Sequence, residues 1–381
     1  MSSNLEAIKR LACEAARELG AAGVRVARAE QHEEAREAML QAFARGDFAT
    51  WSYDEDYARK ACAPTHILPN AQSVVCVAMP YRTEEPAPAP LSGRVSNYAW
   101  SADYHHRVKA LLSQVARRID AAAGEAVTAV ACDTKPLAER AFAAGAGLGW
   151  IGKHTNLIHP QAGSFIFLGE IVTTLPLPPD APLRKTCGSC TRCISACPTG
   201  ALRGDYTIDA TRCIADLTQR TDGIPREMRP LVGTWVWGCD LCQIVCPPNA
   251  RATATADASN RALSEEASTP SLLRLLRLRS GEFKRTYAPT AMGWRGAAIL
   301  RRNAAVALGN SLDRAAIPAL AEALRGDPHP MVRAHAAWAL GRIGGNRAFE
   351  HLRGCLRTEK DAGVRREAEA ALAEPHLTPM R

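Results

Sequence analysis

The sequence predicts an α+β chain in three parts: an α/β domain over residues 1–178, a cysteine-rich module over 179–250, and a linker followed by helical repeats over 251–381. Three observations carry this division. Apolar runs of strand length alternate with helical periodicities through the first part. Eight of the thirteen cysteines fall between residues 187 and 246. A pattern beginning at Leu300 returns at Val332 and again at Val364, a period of 32 residues each time.

The cysteines read Cys187-x2-Cys190-x2-Cys193-x3-Cys197-Pro198, then Cys213, then Cys239-x2-Cys242-x3-Cys246-Pro247. In the bacterial ferredoxin spacing, three closely set thiolates hold one [4Fe–4S] cube and the fourth, before a proline, crosses to the other. The second run repeats that pattern with its leading cysteine displaced to Cys213. The spacing therefore assigns Cys187, Cys190, Cys193 and Cys246 to one cluster, and Cys197, Cys213, Cys239 and Cys242 to a second. Zinc sites also use CxxC pairs, but seldom three cysteines so close before a Cys-Pro. Disulfides would need an oxidising compartment. A ferredoxin-like module that moves single electrons is the expectation. Cys13, Cys62, Cys76, Cys132 and Cys355 are scattered and read as buried small hydrophobes.

At 47% hydrophobic and 23% charged, the composition is that of an ordinary globular protein. No secretory signal is expected at the N-terminus, where Lys9-Arg10 sits in an amphipathic helix. No apolar run reaches the roughly 18–20 residues of a membrane span. With free thiols beside iron–sulfur ligands, the expected location is the cytoplasm and no membrane partner is expected.

Taken in order, Leu5, Ile8, Leu11, Ala15 and Leu19 space a helix that stops at Gly20. Val24–Ala29 alternates as a strand, and 30–44 is helical again. Ser73–Met79 is a continuous apolar run of the kind that forms a buried strand, and the proline-dense Glu84–Gly93 is a loop. Tyr104 to Ile119 marks a helix. Ala126–Cys132 is a strand that delivers Asp133 at its end, before a helix beginning at Pro136. Gly145-Ala-Gly-Leu-Gly-Trp-Ile-Gly-Lys-His-Thr-Asn156 reads as a segment where backbone approaches a large ligand. Ser164–Val172 is a further strand, and Leu175–Asp180 a stiff linker. Residues 250–271 read as an exposed connection.

The repeat pairs Leu300-Arg-Arg-Asn-Ala-Ala-Val-Ala-Leu308 with Val332-Arg-Ala-His-Ala-Ala-Trp-Ala-Leu340 and Val364-Arg-Arg-Glu-Ala-Glu-Ala-Ala-Leu372. Stacked helix pairs of the HEAT-like kind follow, with alanines permitting close packing. The net charge is +8, and from Leu273 to Arg302 eight basic residues stand against one acid, Glu282. Such a stretch suggests a polyanionic partner. A solvated arginine-rich face is the other reading.

Several motifs in this order resemble the epoxyqueuosine reductase family. They are Ile67-Leu-Pro-Asn-Ala-Gln-Ser-Val-Val75, Asp103-Tyr-His105, Asp133-Thr-Lys-Pro-Leu-Ala-Glu-Arg140, Ala144-Gly-Ala-Gly-Leu-Gly-Trp-Ile-Gly-Lys153, Arg212-Cys213-Ile214 and Trp237-Gly-Cys-Asp-Leu-Cys-Gln-Ile-Val-Cys-Pro247. Together they span about Leu5 to Asn249, and longer members of the family also carry a HEAT-like tail. The resemblance implies that the first domain is a cobalamin-binding reductase. It would reduce epoxyqueuosine to queuosine at the wobble position of tRNA, with cobalamin reduced through the two clusters by an external electron donor.

By the same resemblance Asp133 is the proton donor, and Arg59, Asp133, His154, Leu157, Thr218 and Arg220 match cobalamin contacts. A free Asp is ionised at neutral pH, so burial against the cofactor is expected to raise its pKa. Arg277, Arg279, Lys284, Arg285, Arg301 and Arg302 are the expected tRNA phosphate contacts. The chain departs from some members in having no cysteine in Val95–Trp100, with Ser101 where glycine is common and Asp216 where an aromatic is usual. Two other readings remain: a corrinoid iron–sulfur reductase of the reductive dehalogenase type, and a ferredoxin joined to a HEAT-like scaffold without catalysis.

Overall fold

The structure, a computed structural model, describes residues 2–87, 89–252 and 257–373. By packing, the chain forms two compact units: Met1–Glu84 with Asp103–Thr211 and Asp240–Asn260, and Glu85–Ala102 with Arg212–Cys239 and Arg261–Arg381. These boundaries differ from the expected ones at 178 and 250. The cysteine-rich module is divided, because its middle stretch is taken into the second unit. There Trp235–Trp237 pairs in parallel with Arg94–Val95, and Asn303 of the repeats donates to the carbonyls of Thr218 and Val236.

The first unit is built on a four-stranded sheet in the order Gly23–Arg28, Ser73–Pro80, Ile166–Thr173, Thr128–Ala131. Every pairing is antiparallel. The parallel crossovers of a doubly wound α/β domain are therefore absent from this sheet, and α+β is the correct description. The Ser73–Met79 run is buried from end to end, as a central strand covered on both faces requires.

One face of the sheet packs on the Tyr104–Ala123 helix, which buries Val108, Leu111, Leu112, Val115, Ala116 and Ile119. Gly169 allows that approach, since a Cβ there would lie 2.8 Å from both Leu112 and Val108. The other face packs on Glu139–Gly145 through Phe142 and Ala143, against Val74, Cys76, Ala78 and Val172. This helix starts at Glu139, three residues after the expected Pro136. The intervening residues form a loop whose end is fixed by the Ala138 N–H donating to Ala61 O at 2.7 Å.

In the second unit, Ala297–Ser311, Pro330–Ile343 and Ala362–Ala373 stack in succession. Gly309 and Gly341 recur at the repeat period because a Cβ would meet Ala339 and Ala371, at 2.8 and 2.6 Å, on the next helix. The period also carries an ion-pair ladder. Arg301 pairs with Asp327 and Arg333 with Glu359, each at 2.7 Å. Among the described residues no helix is long and apolar enough to cross a membrane.

Candidate active site

Asp133 stands two residues beyond the Thr128–Ala131 strand with φ +52°. That left-handed backbone costs a non-glycine residue about 1 kcal/mol or more and persists only where its surroundings hold it. Three contacts do so. Tyr104 donates its hydroxyl to Asp133 Oδ2 at 2.8 Å, His105 Nε2 lies 3.1 Å from the same oxygen, and the Asp133 N–H donates to Glu139 Oε1 at 2.5 Å. The sequence places the first two partners through Asp103, whose carboxylate caps the Tyr104–Ala123 helix by accepting from the His105 N–H. The same oxygen lies 2.7 Å from His105 Nδ1.

Rings pack beneath this cluster. Tyr104 stacks between His105 and Phe167, with centroids 4.1 and 4.3 Å away. Tyr53 stacks on Tyr57 at 4.1 Å, and the Asp133 charge adds to the burial that raises both phenols, Tyr57 to about 12.

The Asp133 side chain is 60% exposed. Its pKa is lowered, chiefly by the His105 hydrogen bond and further by Tyr104, with partial burial opposing. His105 is raised correspondingly, first by Asp133 and then, against burial, by Asp103. A carboxylate that accepts two donors favours its charged form. In this arrangement the proton resides on His105 rather than Asp133. The Asp-Tyr-His motif is visible in the sequence, but this role for its histidine is a product of the fold.

The other expected cofactor contacts fall in different surroundings. Arg59 is exposed on Glu55–Ala61 and pairs with Asp56 at 2.5 Å. Leu157 is buried in the short hairpin formed with Trp150–Ile151. His154 is buried and burial lowers it to about 4, so it is neutral. Its Nδ1 accepts from the Asn156 N–H, leaving a buried Nε2 donor with no partner among the described residues. Thr218 and Arg220 belong to the second unit. The Thr218 hydroxyl bonds to Ile214 O and Gly238 N, and Arg220 lies between Asp216 and Asp222. Their side chains are committed to that unit's interior.

The glycine-rich segment is also corrected, because its close approaches are to protein. A Cβ on Gly147 would meet Ala181 O, one on Gly149 Ile158 O, and one on Gly152 the Ile158 side chain.

Of the eight clustered cysteines, Cys187, Cys190, Cys193 and Cys246 come together in the first unit. Cys246 packs with Trp150 and Ile158, with Cys187 against them. Burial pushes its thiol up to about 11, and Cys187, Cys193 and Cys190 add to the rise. A cationic iron–sulfur core would favour the thiolate of Cys246 that burial and its neighbours disfavour. Cys197 differs. Burial opposes its ionisation, but the Thr199 hydroxyl at 3.4 Å and the backbone around Thr199, Ala201 and Leu202 hold its pKa below the ordinary value.

The basic stretch of the second unit is largely neutralised within the protein, which corrects the expected phosphate contacts. Arg302 is 0% exposed and donates to the carbonyls of Leu217, Thr218 and Arg220. Arg301 is 13% exposed and held by Asp327. Neither can present its charge to a nucleic acid. Arg277 is exposed but doubly bonded to Glu322. Arg279, Lys284 and Arg285 remain exposed.

Two iron–sulfur clusters, a reductase-type carboxylate site and a helical repeat define an iron–sulfur oxidoreductase with an appended scaffold. Three family models match: a 4Fe-4S double cluster binding domain over 186–249, HEAT repeats over 295–373, and "Epoxyqueuosine reductase QueG, DUF1730" over 62–134. The chain is 36% identical to the epoxyqueuosine reductase of Bacillus cereus, covering 84% of this chain and 85% of the relative. It is 37% identical to that of Pseudomonas aeruginosa, covering 86% and 92%. A crystal structure of epoxyqueuosine reductase with an epoxyqueuosine-modified tRNA-Tyr stem loop aligns with a TM-score of 0.90 at 31% identity, over 97% and 98%. Another, from Bacillus subtilis with an aspartate catalytic loop swung out of the active site, also gives 0.90, at 30% identity over 97% and 99%. The chain belongs to the epoxyqueuosine reductase family.

Proposed function

We propose that this protein reduces epoxyqueuosine to queuosine at the wobble position of tRNA, in the cytoplasm. The observation that carries the reading is the Asp133 carboxylate gripped by Tyr104 and His105, in a chain of this family. The epoxide accepts two electrons and two protons, both carbon–oxygen bonds break, a carbon–carbon double bond forms, and the oxygen leaves as water. An external donor supplies the electrons. The spacing assigns Cys187, Cys190, Cys193, Cys246 and Cys197, Cys213, Cys239, Cys242 as the residues that would hold two clusters, which would supply single-electron transfer.

Cobalamin fits the residues present. The buried His154 Nε2 and Trp150 Nε1 donors lack partners among the described residues, and a ligand rimmed with amide groups can satisfy such donors. Arg59, His154 and Leu157 would hold it. Bound cobalamin supplies a strongly reducing, nucleophilic metal centre. The protein supplies the proton. His105 carries it at Nε2, Asp103 orients the imidazole through Nδ1, and Asp133 relays it to the epoxide oxygen as the carbon–oxygen bond opens. A positioned proton donor of this kind is worth about 10²–10⁴-fold. Arg279, Lys284 and Arg285 are the phosphate contacts, fixing the RNA without reading its sequence.

The test is single-turnover reduction of an epoxyqueuosine-bearing anticodon stem loop by protein reconstituted with both cofactors, read by nucleoside analysis. Queuosine should form, and Asp133→Asn should lose most of the rate, by about 10²-fold or more, while keeping clusters, corrin absorption and RNA binding. No queuosine from the wild-type protein would overturn the reading of function. A fast Asp133→Asn variant would overturn the role of Asp133 alone.

A further inference from the structure

Glu170 lies in the middle of the Ile166–Thr173 strand, paired in register with Cys76 on one side and Ala131 on the other. It is 0% exposed, and neither carboxylate oxygen has a donor among the described residues. Nothing in the proton relay of Asp103, His105 and Asp133 uses it. A buried ionised carboxylate without a donor is strongly disfavoured, so Glu170 requires a partner or a proton.

The explanation is its neighbour. Glu139 opens the helix on the same face of the sheet, and the two carboxyls are within side-chain hydrogen-bonding reach. Two carboxylates can bond only if one is protonated. Burial, Glu139 and Asp133 all raise Glu170, while burial first and then the Asp133 charge raise Glu139 to about 7. Arg140 and the Asp133 amide pull Glu139 the other way. The remaining titratable neighbours are the Tyr57 phenol and the Cys76 and Cys132 thiols, whose own pKa values are raised, so they stay neutral. The pair thus holds one proton, carried on Glu170, with Glu139 the acceptor. The negatively polarised Glu139 Oε1 then takes the Asp133 N–H at 2.5 Å.

We propose that Glu139, braced from below by Glu170, is the latch that keeps the Asp133 loop in its working position. The alternatives for holding that loop are few. Among the described residues Thr134 bonds back to Cys132 O within the loop, and Ala138 bonds to Ala61 at its far end. Lys135 and Asp133 are exposed. The Tyr104 and His105 bonds grip the Asp133 side chain, but they meet the group that must exchange a proton. The Glu139 bond grips the backbone and leaves the carboxylate free to react. Glu139 is a positioning residue in this scheme, and Glu170 fixes where its carboxyl points.

The proposal rests on the reading of Asp133 above, and its test separates the two. Glu139→Ala and Glu139→Gln are compared with the wild type, each carrying clusters and cobalamin. Hydrogen exchange of the 132–138 peptide is measured together with kcat and KM on the modified stem loop. Gln keeps a carbonyl for the Asp133 amide and an amide to bond Glu170. Glu139→Ala should exchange faster in that peptide and lose kcat by about 10–100-fold, the scale of a small misplacement of a catalytic group, with KM unchanged. Glu139→Gln should restore both.

Wild-type exchange and kcat in Glu139→Ala would overturn the latch. So would a Gln variant with slow exchange but the kcat of the Ala variant, since the carboxyl would then act by its proton. If Glu139→Ala fails to fold, the Gln variant decides by the same criteria. Hydrogen exchange needs no turnover, so an inactive wild type would count against the substrate and leave the latch measurable.

Discussion

The Asp133 cluster and the arginine-rich start of the repeats use charge in opposite ways. Around Asp133, carboxyls crowd together: Asp103, Asp133, Glu139 and Glu170 gather about one histidine, with Arg140 as a fixed positive charge nearby. The surplus is relieved by protons, on His105 and between the two glutamates. In the repeats the surplus is of arginines, and it is relieved by fixed partners: Asp327 for Arg301, Glu359 for Arg333, and three carbonyls for Arg302. A charge neutralised by a mobile proton is available for chemistry. One neutralised by a permanent partner is architecture, however basic the sequence looks.

The contrast can be broken at Arg302, where the largest effect is expected. Arg302→Ala leaves buried carbonyls without donors, each costing about 1–3 kcal/mol. The thermal midpoint of the second unit should fall sharply, while the RNA affinity of protein that remains folded is unchanged. Weaker RNA binding at unaltered stability would show that this arginine is a contact after all.

On the other side, Asp103→Asn removes one of the two carboxylates that raise His105. A raised histidine pKa means that the proton is held to higher pH than on a free imidazole and lost as pH rises through that value. Without Asp103 the loss comes earlier, so the alkaline limb of the rate profile should move to lower pH with cofactor content intact. A limb that stays in place would remove His105 from the proton path.

The smallest effect belongs to the exposed cations. Lys284→Ala and Arg285→Ala should each flatten the salt dependence of RNA binding by about 0.7–0.9 in logarithmic slope. Arg277→Ala should do less, since Glu322 already occupies its guanidinium. Equal slopes in all three variants would mean that the ion pair opens for the RNA and that pairing does not mark architecture here.

Some of this contrast could be read before folding. Arg301, Arg333 and Arg365 recur at the repeat period, and so do the acids Asp327 and Glu359. A charge that keeps step with a structural repeat serves the repeat, and that signal was available against reading Arg301 as a phosphate contact. Arg302 offered no such warning, because its partners are backbone carbonyls some eighty residues earlier, which a side-chain pattern does not reveal. The Asp133 motif likewise contained Glu139, but only the strand register brought Glu170 beneath it.

The sequence alone determined what is local. Thiolate spacing defined two clusters, because the closely set thiolates of a cube and the crossover cysteine before a proline leave a pattern in the chain. Apolar runs defined the strands, and the 32-residue period defined the repeats. Only the tertiary structure decided which strands neighbour one another and that they run antiparallel. It also placed the proton on His105 and separated the buried arginines from the exposed ones. Protonation and burial depend on groups distant in sequence and close in space, and side-chain identity alone does not encode those distances.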